Sequence, residues 1–134
     1  MSKTQNPLGH YSTVNAYGAA EADNNLDLIL SMMRGAQDRI ASARGHMERK
    51  EAQKKGEQLG KAIALIDGLR GSLNIEAGGE IAANLDALYD YMGRRLAEAN
   101  ARNDVELLNE VSALLSEIRD AWEQVMRQAA ASPA

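Results

Sequence analysis

The stretch NLDALYDYMGRRLAEANARND, residues 84–104, decides the fold. At about 100° per residue, Leu85, Leu88, Met92, Leu96 and Ala99 fall on one side of a helix together with Ile81. Asp86, Asp90 and Arg94 fall behind that stripe and read as a solvated face, while Tyr89 and Tyr91 take its two shoulders. An apolar stripe on an otherwise charged helix must be covered by other helices, so the rest of the chain has to supply them.

It does so on both sides. Upstream, residues 51–73 repeat the period with Leu59, Ala62, Ile63, Ile66, Leu69 and Leu73, and Lys54, Lys55, Glu57 and Lys61 mark the polar side. The run NIEAGGE then breaks the pattern, which predicts that the third helix begins near Glu80. Before these, a first helix runs from about Asp23 to Gly45 on Leu26, Ile29, Leu30, Met33, Ala36, Ile40, Ala43 and Met47. Downstream, Asn103 and Glu106 have the spacing of a capping box. The fourth helix follows on Leu107, Leu108, Val111, Leu115, Ile118, Trp122, Val125 and Met126, with Trp122 as a core anchor.

No segment alternates with period two, and the connections are short. The expected fold is all-α, an antiparallel up-and-down bundle of about four long helices over residues 22–129. Residues 1–21, with Pro7, Gly9 and Gly18, read as a mobile N-terminal arm or short N-terminal helix, and 130–134 as a disordered tail.

A chain of 134 residues suffices for one core without staples, and the absence of Cys removes disulfides, thiolate metal sites and cysteine nucleophiles. The cytoplasm is the expected compartment. The start lacks an apolar signal segment, and no run is long enough to span a bilayer. A net charge of -4 and a pI near 5.2 give no general attraction to phosphate backbones, so neither nucleic acid nor membrane insertion is expected.

The candidates for chemistry are weak. His46, in GHMERK, could accept a phosphoryl group, but a histidine near a helix end is also explained by the helix dipole, and His10 stands apart. Glu76, Glu80, Asp86 and Asp90 have helical spacing without a completing histidine, and no phosphate loop, zinc pattern or nucleophile elbow occurs. The reading is not an enzyme, with no cofactor and no metal.

Recognition features are stronger. Gly56, Gly60, Ala64, Gly68 and Gly71 share a sector beside or behind the stripe of the second helix. Each interior glycine costs about 0.5–1 kcal/mol relative to Ala. Small residues also leave a trough in which another backbone can approach. In the arm, Val14 and Tyr17 are bulky handles suited to a displaceable lid over an apolar groove.

The segment GGEIAANLDALYDYMGRRLAEANARND, residues 78–104, resembles the signature of the flagellin chaperone family, the FliS proteins. The likeness continues in KAIALIDGL (61–69), EVSALLSEIRDAW (110–122) and NAY (15–17). The resemblance implies a bundle in the bacterial cytoplasm that binds the disordered C-terminal segment of flagellin in apolar grooves. It also implies that the client is kept from polymerising and is delivered to the export gate of the flagellar type III apparatus, without catalysis. The free protein is expected to be a monomer or weak homodimer. The expected partner-binding residues are Val14, Tyr17, Gly56, Gly60, Ala64, Gly68, Tyr89 and Tyr91. Two other classes stand behind this one: a generic helical adaptor and a His46 phosphotransfer domain.

Overall fold

A computed structural model describes residues 26–131, which form four helices: α1 (Leu26–Glu48), α2 (Ala52–Gly71), α3 (Ile75–Arg102) and α4 (Val105–Ala131). Each helix packs against its neighbour in sequence, and α4 closes the ring on α1. Connections of two or three residues force consecutive helices to run antiparallel, giving the up-and-down bundle. The arm residues Val14 and Tyr17 lie outside the described residues. The fourth helix reaches Ala131, so the first residues of the expected tail are helical.

The core takes its residues at 3-4 spacing from all four helices. From α1 come Ile29, Leu30, Met33, Ala36, Ile40 and Ala43, and from α2 Leu59, Ala62, Ile66 and Leu69. From α4 come Leu107, Leu108, Val111, Leu115, Ile118 and Trp122, the last 1% exposed. The α1–α2 seam is close because small residues lie in it. A Cβ built on Gly68 would stand 2.6 Å from Met32 Cε, so the Met32 methyl occupies the place of the missing side chain.

The helix ends depart from expectation in three places. The first helix runs past Gly45 to Glu48 and ends with Glu51 N–H donating to the His46 carbonyl (2.8 Å) and Lys50 N–H to the Met47 carbonyl (3.2 Å). This paired closure needs a left-handed residue, which is Lys50 at φ 60°. We expect Lys50→Gly to raise stability by roughly 0.5–1 kcal/mol, because glycine adopts this conformation without a Cβ clash. An unchanged or lower denaturant midpoint would show that the Lys50 side chain contributes more than its backbone costs.

Asn103 does not cap the fourth helix. It ends the third, at φ 53° and ψ 45°, and Asp104 is the cap, its Oδ1 accepting from Glu106 N–H at 3.0 Å. In EANARND, residues 98–104, the left-handed tolerance of Asn gives Asn103 to the end of the earlier helix and leaves the cap to Asp104. Finally, α3 starts five residues before Glu80: Asn74 Oδ1 caps it by accepting from Ala77 N–H, and one helical turn precedes the break. The break itself sits at Gly79, whose φ of 57° and ψ of -130° suit only a residue without a Cβ.

Candidate partner-binding surface

The stripe of α3 is rotated from the expected one by about 30°. Its buried residues are Ala82, Leu85, Tyr89, Met92, Leu96 and Ala99, while Ile81 and Leu88 are only partly buried. This rotation moves Asp86 and Asp90 from the back of the helix to its α2 edge. There Arg70 Nε donates to Asp86 Oδ1 at 2.7 Å and Arg70 Nη1 to Asp90 Oδ1 at 2.9 Å, while Arg94 reaches the other Asp90 oxygen at 3.0 Å. The acidic pair is therefore a bridge to α2 and not a plain solvated face. Arg70, Asp86 and Asp90 are 30–41% exposed and Arg94 is 68% exposed, so each pair contributes at most on the order of 0.2–1 kcal/mol.

Along the same α2–α3 seam, the opposite end is tied by Lys55, whose Nζ donates to the Asn100 carbonyl at 3.0 Å and to Asn103 Oδ1. Between the two ties the helical spacing places Gly56, Gly60 and Ile63 of α2 beside Gly93 and Ala97 of α3. A Cβ on Gly56 would touch the Asn100 side chain at 3.9 Å, whereas one on Gly60 or Gly93 would meet nothing. Glycine at these two positions is thus not required by any neighbour among the described residues.

The five small residues of α2 do not all face one groove. Over about 120° of the outer surface they run from Gly56 at the α3 edge, through Gly60, Gly71 and Ala64, to Gly68 beside Met32 at the α1 edge, the last four all exposed. Gln53, Glu57 and Asp67 stand among them. The result is a low face, and the open space over Gly60 and Gly93 makes a small-residue channel of its α3 side.

The tyrosines separate. Tyr89 is 1% exposed with its hydroxyl oxygen buried, so it is a core residue and not a groove border, and a partner cannot reach it in this structure. Tyr91 is half-buried on the α4 side, where its hydroxyl donates to Glu110 Oε2 at 2.5 Å. Arg95 donates to Glu110 Oε1 at 3.0 Å, and its guanidinium carbon lies 5.5 Å from the centre of the Tyr91 ring. The Tyr91 hydrogen bond first, and Arg95 second, hold the Glu110 carboxyl below its ordinary range, and the same bond raises the Tyr91 phenol. Tyr91 therefore clamps α3 to α4 and faces away from the small-residue channel.

Two contributors were missed by the sequence reading. Lys55, expected on the polar side, is 6% exposed; its position four residues before Leu59, in step with Ala62, Ile66 and Leu69, is the available signal. Gly93 gives no signal, because it falls between Met92 and Arg94 and carries no side chain to classify.

At the α1–α2 turn, His46 Nδ1 donates to Glu51 Oε1 at 2.8 Å and Arg49 Nε donates to the same oxygen at 2.8 Å. Together, with His46 the larger influence, they lower the Glu51 carboxyl from 4.5 to about 2. His46 is thus occupied in a turn and only 17% exposed. Because the folded value lies below the unfolded one, Glu51 stabilises the fold fully above about pH 4.5, and the contribution is lost as the pH falls toward 2. We expect Glu51→Gln to melt below the wild type at pH 6 and alongside it at pH 2, by circular dichroism. A gap independent of pH would mean that the carboxylate charge is irrelevant.

Among the described residues no group of three or more His, Cys, Asp or Glu is placed to hold a metal ion, and no helix is long and apolar enough to cross a membrane.

The family model described as flagellar protein FliS matches residues 8–129. The chain is 48% identical over 118 residues to the flagellar secretion chaperone FliSB of Pseudomonas aeruginosa, covering 88% of this chain and 94% of that one. It is 42% identical over 127 residues to the flagellar secretion chaperone FliS of Salmonella typhimurium, covering 94% of each. With the FliS of Bacillus subtilis the identity is 34% over 123 residues, covering 92% of this chain and 88% of that one. A four-helix bundle matched by the family model over nearly all of its length belongs to the FliS family of flagellar secretion chaperones.

Proposed function

We propose that this protein binds the disordered C-terminal segment of flagellin, prevents its premature polymerisation and assists its delivery to the flagellar type III export gate. It acts in the bacterial cytoplasm and catalyses no reaction. Family membership sets the class of function, and the open, small-residue channel between α2 and α3 is the observation that carries the mode of binding. Amphipathic client helices place apolar side chains into such a seam, and small residues on the receiving helices let the backbones come close. The client gives up its disorder on binding, so affinity has to come from surface buried along an extended path and not from one pocket. Val14 and Tyr17 belong to this proposal as a displaceable cover, and Gly56, Gly60 and Ala64 as part of the path. Gly68 contributes at its α1 edge, where Met32 would have to move.

The test is calorimetric titration of the full chain with a peptide spanning the C-terminal segment of flagellin from the same organism, with circular dichroism of the mixture. One-to-one binding, a gain in helix and a negative heat-capacity change are the expected result. Two folded and functional components that release no heat and gain no helix at several temperatures would overturn the proposal.

A further inference from the structure

At the end of the bundle where the α1–α2 and α3–α4 turns meet, a pocket is lined by Met47, Lys50, Glu51, Ala52, Lys55 and Asn103. We propose that it is a binding site for an alkyl carboxylate, with Lys55 as the cation that receives it. Such a site acts independently of flagellin recognition along a groove, through one charge in one pocket.

The ammonium of Lys55 is the observation that requires an explanation, because the residue is 6% exposed. Two of its three protons go to neutral oxygens, the Asn100 carbonyl and Asn103 Oδ1. None of the ion pairs among the described residues includes Lys55. A buried cation is ordinarily matched by an anion. A lysine at a helix C-terminus is stabilised by the last carbonyls, which accounts for its two bonds at the end of α3. It does not account for the missing counter-charge or for the third proton.

The other charges facing the pocket favour an anion. Glu51 is the acid on its wall, but its Oε1 is held by His46 and Arg49 and its Oε2 lies 4.0 Å from Lys54, so its charge is already answered. Lys50, fixed in the left-handed conformation, adds a second cation to the wall. Asp104, next in sequence to Asn103, has one oxygen engaged as the cap of α4.

The class of anion follows from the walls. Met47, Ala52 and the lysine stems are apolar, which suits a carboxylate on a short aliphatic stem better than a phosphate needing donors on every side. A single ammonium is a point charge, without the paired geometry of an arginine fork. Such a group is offered either by an acidic side chain or by the free end of a bound peptide.

The test is titration of the isotope-labelled full chain, followed through amide resonances, with three small probes: N-acetyl-alanine, the doubly blocked acetyl-glutamate methylamide, and the uncharged acetyl-alanine methylamide. Saturable shifts at Ala52 and Asn103 with either carboxylate, and none with the uncharged probe, are expected, the tighter acid identifying the source. Lys55→Met should abolish saturation, and Lys50→Gly, which the backbone favours, should weaken it several-fold. The proposal is overturned if neither acid saturates, if the uncharged probe binds equally, or if a folded Lys55→Met binds unchanged. Should Lys55→Met fail to fold, unaltered binding by Lys50→Gly is the overturning result in its place.

Discussion

Trp122→Ala is expected to destabilise the bundle by about 3–5 kcal/mol, the usual range for emptying a large aromatic site in a packed core. Trp122 is the largest of the fully buried side chains, at 1% exposure, and it sits on α4 among residues drawn from a ring of helices. The four helices meet only through this shared core and the seams beside it, so the space left behind cannot be filled by one small adjustment. For a domain of this length such a loss lowers the melting temperature by roughly 10–20 °C. Trp122→Phe, which keeps much of the apolar volume, should recover more than half of the loss. Thermal melting of the three proteins at pH 7 checks this. A Trp122→Ala protein that melts with the wild type would place the indole on a surface, contrary to its burial, and would make it a candidate partner contact.

How much of this was legible in the sequence differs by helix. The stripes of α1 and α4 were read residue by residue, because their apolar positions are occupied by Leu, Ile, Val, Met and Trp with few ambiguous neighbours. In α3 the stripe was misplaced by about 30°, and the cause is specific. A stripe drawn through Leu88 and Ile81 by angle alone leaves Tyr89 on its shoulder. Burial ranks them the other way, since Leu88 and Ile81 face the α4 edge while Tyr89 and the small Ala82 point between helices. Correcting that angle also turns Asp86 and Asp90 from a solvated face into the bridge to Arg70.

The candidate surface was legible only in part. The small residues of α2 were visible as a sector, but which edge each would meet depends on where α1 and α3 stand, and a single helix carries no such information. Lys55 was hidden for a related reason. A lysine reads as solvent-facing until a helix end is brought to it, and the end that receives it is supplied by Asn100 and Asn103, over forty residues away. The opening asymmetry of residues 84–104 thus has its answer in the neighbours. One tyrosine enters the core, the other binds α4, and the acids hold α2.

The second large effect concerns binding and runs opposite to stability. If a client helix lies in the α2–α3 channel, the double variant Gly60→Leu, Gly93→Leu should lose at least tenfold in affinity for the flagellin C-terminal peptide, which corresponds to about 1.4 kcal/mol or more. A Cβ at either position meets no neighbouring residue within 4 Å, so a side chain there starts into open space. Both sites are helical, where leucine is favoured over glycine by on the order of 0.8–1 kcal/mol each, so the free protein should become more stable, not less. The new side chains would instead fill the space that lets a second backbone approach, and would hold a client helix away from the Ile63 seam. Alanine at the same two positions should stabilise the fold while leaving affinity within a few-fold, because a methyl group barely raises the floor of the channel. Raised melting temperature with weakened calorimetric binding in the leucine pair alone is the expected pattern, and it cannot arise from unfolding. A leucine pair that binds like the wild type would move the client off this channel and toward the α1 edge, where Met32 stands beside Gly68.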